Sequence, residues 1–179
     1  MPENITIDEV NRLDRDEFVS RFGALFERSP WVAKAAWHES PFADLSRLHE
    51  AFVRAMHEAP QERQLALIRA HPDLVGKAAV AGGLTAESAE EQASAGLNRL
   101  SPEEYEAFTS MNAAYREKFG FPMIVCVREH DKASILRNAR NRLENTYEEE
   151  FGTALTEISK IADLRLRDLV EDGEVETNR

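Results

Sequence analysis

His71 stands directly before Pro72, and Ser88, Glu91 and Gln92 follow at spacings of three and four residues. Proline disfavours helical geometry at the residue before it, so the imidazole belongs at the C-terminal end of the helix-like stretch QERQLALIRA, 61–70. The negative end of that helix favours an imidazolium, which suits a general acid or base working near neutral pH. The same placement equally suits a histidine that caps the last carbonyls. Ser88, Glu91 and Gln92 share one face of a short helix and could grip a small, amide-rich ligand. Ser-x-x-Glu is, however, also a capping box that would simply start the helix at Ser88. In KIADLRLRDL, 160–169, Arg165 and Arg167 flank apolar Leu166. An arginine there either offers its planar fork to a carboxylate or is merely solvated.

Other chemistries find little support. His38, His49 and His57 are each followed by glutamate, but none has a second histidine four residues away, and His71-x-Asp73 supplies too few ligands for a catalytic metal. Cys126 is the single cysteine and lies between two valines, a setting for an inert core thiol. It allows no internal disulfide, which fits a reducing compartment. A nucleophile elbow, a phosphate loop and a dinucleotide fingerprint are all missing from the sequence.

The elements that must position these residues are helical. Thr6 with Glu9, Asp14 with Glu17, Ser101 with Glu104 and Thr146 with Glu149 have capping-box spacing. Ser29-Pro30 and Ser101-Pro102 put proline at a first helical position. Helices are expected over 7–12, 15–28, 30–38, 44–58, 60–70, 87–95, 102–118, 132–144 and 147–170. Phe18, Phe22, Leu25 and Phe26, and Leu155, Ile158, Ile161, Ala162 and Leu166, form apolar stripes that face a core. FPMIVCV, 121–127, reads as extended and follows Gly120 as a helix stop; without a partner strand it is expected to be a buried connector. Residues 71–86 form the long loop, interrupted by Gly76, Gly82 and Gly83.

The 179 residues, 42% of them hydrophobic, suit one all-α domain, a bundle of about eight or nine helices over 1–170, with an acidic tail from 171 to 179 expected to fray. A net charge of −11 repels nucleic acid and anionic membranes. Without a signal-peptide pattern, a membrane-length apolar run or a peroxisomal C-terminus, a cytoplasmic protein is expected.

HPDL (71–74), LTAESAEEQASAGL (84–97), MNAAYREKFGFPMIVCVR (111–128) and ISKIADLRLRDL (158–169) together resemble the 2-oxo-4-hydroxy-4-carboxy-5-ureidoimidazoline (OHCU) decarboxylases. The blocks stand in family order and at family spacing, nearly end to end. The resemblance implies an all-helical homodimer that uses neither metal nor organic cofactor and converts OHCU to (S)-allantoin in urate degradation. By motif match His71 takes the catalytic histidine position, with Glu91 grouped beside it. Pro72, Ser88, Gln92 and Arg165 take ligand-binding positions, and backbone from Met123 through Ile124, Val125 and Cys126 to Val127 lines the remaining wall. Met123 departs from the family's phenylalanine, which bears on pocket shape. Two rivals stay open: a helical module that binds a ureide without converting it, and a metal-dependent ureide hydrolase.

Overall fold

The computed structural model describes residues 3–76 and 82–173, and the chain is all-helical, as expected. Nine α-helices occur among the described residues: α1 Ile7–Val10, α2 Arg15–Phe22, α3 Trp31–Ala36, α4 Leu45–Glu58, α5 Gln61–Ala70, α6 Ala86–Ser94, α7 Pro102–Phe119, α8 Lys132–Arg142 and α9 Tyr147–Arg167. All four capping boxes form. The Thr6, Asp14 and Ser101 side chains each accept the N3 amide while the paired glutamate returns to the cap amide, and Thr146 and Glu149 do the same for α9. Each such cap contributes about 1 kcal/mol by satisfying amides that have no helical partner.

The chain divides into two compact units. The first comprises residues 1–67 with 159–179. Its core is a phenylalanine cluster in which Phe18 lies 4.9 Å from Phe22 and 5.7 Å from Phe52, all three with no exposed surface. Each buried ring contributes about 1.5–3 kcal/mol. The Asn11 carboxamide clamps the backbone of Phe42 from both sides, donating to its carbonyl at 2.8 Å and accepting its amide at 2.7 Å. Ile5 pairs with Val170 in a single parallel bridge.

The second unit, Ile68–Ile158, holds the His71 turn, α6 to α8, the start of α9 and the 121–127 segment. Tyr115, Phe119 and Phe121 pack in succession at 4.7 and 5.9 Å. Phe121 to Cys126 takes no regular secondary structure and is buried along its whole length, as expected of a connector. Gly120 ends α7 at φ 74°, a conformation glycine adopts without a steric penalty.

Several boundaries differ from the sequence reading. The helix expected over 15–28 stops at Phe22 and passes through a 3-10 turn, Gly23–Leu25; Phe26 is extended and Arg28 takes φ 47°. The aromatic stripe persisted beyond the helix because Leu25 and Phe26 stay buried in a turn. Pro30 precedes α3 rather than beginning it, and the Ser29 hydroxyl donates to the Glu27 carbonyl instead of capping. The last helix ends at Arg167 rather than 170, where Glu171 and Leu169 bond the backbone of Ile5. Residues 77–81, within the stretch expected from the sequence to be a loop, and 174–179, within the expected acidic tail, lie outside the described residues.

Candidate active site

His71 follows the last residue of α5, and its amide donates to the Ile68 carbonyl at 3.2 Å. The residue is only 7% exposed. The turn behind it is pinned at three successive residues by side chains of α6 and α7. Arg116 Nε donates to both carboxylate oxygens of Asp73, at 3.0 and 3.1 Å. Asn112 donates to the Leu74 carbonyl at 2.7 Å, and the Val75 amide donates to Gln92 Oε1 at 3.3 Å. Val75 needs that support, because a β-branched residue at φ 56° carries about 1–3 kcal/mol of backbone strain.

The cap of α6 is Thr85, whose hydroxyl accepts the Ser88 amide at 3.2 Å. Ser88 therefore sits inside the first turn rather than starting the helix, and it is buried together with Gln92. The capping explanation for Ser88 is thus overturned: the true cap stands three residues earlier. Glu91 is partly exposed, and its charge acts on the Cys126 thiol. The α6 helix also packs beside the 3-10 turn Val127–Glu129. One unit therefore gathers the His71 turn, the Ser88–Gln92 face and the Met123–Val127 segment.

Met123, Ile124, Val125, Cys126 and Val127 are all at most 5% exposed. Burial pushes the Cys126 thiol up to about 11, helped by the carboxylates of Glu129, Glu157 and Glu91. Such a group is a protonated core thiol at neutral pH and not a nucleophile.

Arg165 belongs to the first unit. It is 6% exposed, which overturns the solvated reading. Its Nη2 donates to Glu27 Oε1 at 3.1 Å, and Nη1 reaches the Ala24 and Leu25 carbonyls at 3.4 Å. Arg167 is the surface arginine, pairing with Asp163 and Asp172.

A hollow of about 480 Å3 opens between the turn, at Pro72, Asp73 and Val75, and the α7 residues Tyr105, Asn112 and Arg116. Of the expected site residues only Pro72 borders it among the described residues, and its Asn112 and Arg116 side chains are committed to holding the turn. Sequence reasoning missed Asn112, Arg116 and Glu27. The first two were visible as a polar pair four apart on a helix that buries Phe108, Met111 and Tyr115. Nothing local marked Glu27, whose partner lies 138 residues away.

A family model described as OHCU decarboxylase matches residues 11–167. The 2-oxo-4-hydroxy-4-carboxy-5-ureidoimidazoline decarboxylase of Halalkalicoccus jeotgali is 43% identical over 165 residues, covering 92% of each chain. That of Mus musculus is 41% identical over 90% of this chain and 91% of its own. The crystal structure of (S)-allantoin synthase matches with a TM-score of 0.76 and 29% identity over 93% of this chain, which spans 54% of the synthase chain. A crystal structure of OHCU decarboxylase in the presence of (S)-allantoin, 22% identical with a TM-score of 0.66 over 89% of this chain, shares the fold. By its family-wide match and these relatives, the chain belongs to the OHCU decarboxylase family.

Proposed function

We propose that this protein is a carboxy-lyase that decarboxylates OHCU to (S)-allantoin in urate degradation. The observation that carries the reading is that His71, Ser88 and Gln92, three polar side chains of family motif positions, are buried in one unit, with Gln92 accepting the Val75 amide of the turn that follows His71. The relatives named OHCU decarboxylase extend over nearly the whole chain, which supports the same activity here.

The carboxylate leaves from a carbon that also bears a hydroxyl. Its bonding pair passes into the substrate's own adjacent C=N bond, so the reaction needs no borrowed electron sink. His71 exchanges a proton with that hydroxyl. Glu91 and Gln92 hold the ureido and ring amides; because the Gln92 oxygen accepts from Val75, its NH2 end is assigned to a substrate acceptor. Ser88 and Pro72 bound the ligand, Arg165 orients the anion, and backbone groups of Met123–Val127 form the wall against which the enediol-like intermediate is protonated on one face. Preorganisation by the pinned turn keeps the imidazole in register with the reacting carbon.

The enzyme is assigned as a cytoplasmic homodimer. The family resemblance supports the dimer. The cytoplasmic assignment is supported by the single cysteine, which suits a reducing compartment.

The test generates OHCU in situ by oxidising urate and opening the ring, then follows carbon dioxide and the circular dichroism of allantoin. The expected result is accelerated release with one-handed product. His71→Asn should lower turnover by about a hundredfold to ten-thousandfold while retaining its far-UV spectrum. Allantoin that forms racemic, at the spontaneous rate, overturns the reading and favours a ureide-binding module.

A further inference from the structure

The 121–127 segment is a buried stretch in a helical body, without regular secondary structure from Phe121 to Cys126. Among the described residues it has no neighbouring strand to take its backbone groups, yet buried carbonyls must find donors. At Ile124 the donor is Arg142, whose Nη1 bonds the carbonyl. Arg142 is the last residue of α8 and is 4% exposed; its Nε bonds Oε1 of Glu150, which has no exposed surface and sits in the first turn of α9. Each charge stands at the helix end whose dipole favours it. The Tyr115 hydroxyl of α7 donates to the same Glu150 oxygen, and Asn145 Nδ2 donates to the other at 3.0 Å. Burial first, and then the bond to Glu150, keep the Tyr115 phenol protonated and hence a donor. Three helices are thereby fastened to one carbonyl of the connector.

A buried ion pair is a poor device for stability alone, because desolvation offsets most of its Coulomb attraction. What this one adds is a fixed direction. We infer that Arg142, locked by Glu150, is a positioning residue: it holds the Ile124 carbonyl, and through it the Met123–Val127 backbone, where that backbone meets the substrate. The inference rests on the functional reading above, since only there does the segment form the wall of the site.

Arg142→Lys keeps a charge facing Glu150 but loses the second nitrogen that reaches Ile124. A single neutral substitution would strand Glu150, so the companion variant is Arg142→Met with Glu150→Met, which removes both charges. Both are expected to keep the far-UV spectrum, to exchange amide hydrogens faster at 121–127 with α6 unaltered, and to raise KM by roughly ten- to a hundredfold, with loss of product enantiopurity. A merely structural role would lower the thermal midpoint without moving KM of the folded enzyme. Parent-like exchange at 121–127 overturns the hold on the wall; faster exchange with parent-like KM and enantiopurity overturns its part in positioning. A parent protein that releases no carbon dioxide overturns the functional reading instead, and does so before any variant is made.

Discussion

Cys126 shows how far a single residue's chemistry depends on its surroundings. In the sequence it is a thiol between two valines; in the fold it is 1% exposed and pushed up to about 11 from an ordinary 9.0. Because the folded value is raised, the unfolded chain loses its proton first. This thiol's share of stability is therefore present below pH 9.0 and is lost as pH rises toward about 11. Iodoacetamide near neutral pH should label Cys126 only after denaturation, as read by intact mass; rapid labelling of the native protein would contradict the burial. His71, Ser88 and Gln92 were legible by residue type and spacing, but their partners were not. That Gln92 supports Val75, and that Thr85 takes the capping role offered for Ser88, follow from contacts the local sequence leaves open.

Helix starts were the most legible elements, because a capping box is a local exchange between residues three apart. Glu104 illustrates the energetics: its carboxyl is held below the ordinary 4.5 first by the Ser101 amide and then by Lys132. A depressed folded value means this contribution is present above pH 4.5 and is lost as pH falls through and below it. Glu104→Gln should therefore lower the urea midpoint at neutral pH, and the gap from the parent should narrow as pH falls below 4.5. A gap independent of pH would assign the loss to packing. Helix ends were less legible. The aromatic stripe of α2 runs past its true end because buried Leu25 and Phe26 follow in a turn, and a burial pattern alone does not separate the two.

At the scale of the whole molecule the long-range pairs decide. Arg165 and Glu27 come from opposite ends of the chain and are buried together. Arg165→Ala takes the guanidinium from Glu27 and should cost about 3–5 kcal/mol, seen as a fall in thermal midpoint of roughly 10 °C. An unchanged midpoint would show that the pair does not support the fold. The orienting role proposed for it is therefore better read in Arg165→Lys, assayed well below that midpoint, where a folded enzyme making pure (S)-allantoin at the parent rate would remove Arg165 from orienting the substrate. By itself the sequence determined the helical class, the caps, the apolar faces and the family motifs, because periodicity and capping act within a turn or two and motif blocks keep their order along the chain. Only the tertiary structure decided which charges are buried in pairs, which amide side chains pin the His71 turn and which arginine holds the connector. Those choices join residues from 8 to 138 positions apart, and burial makes each partner's identity matter.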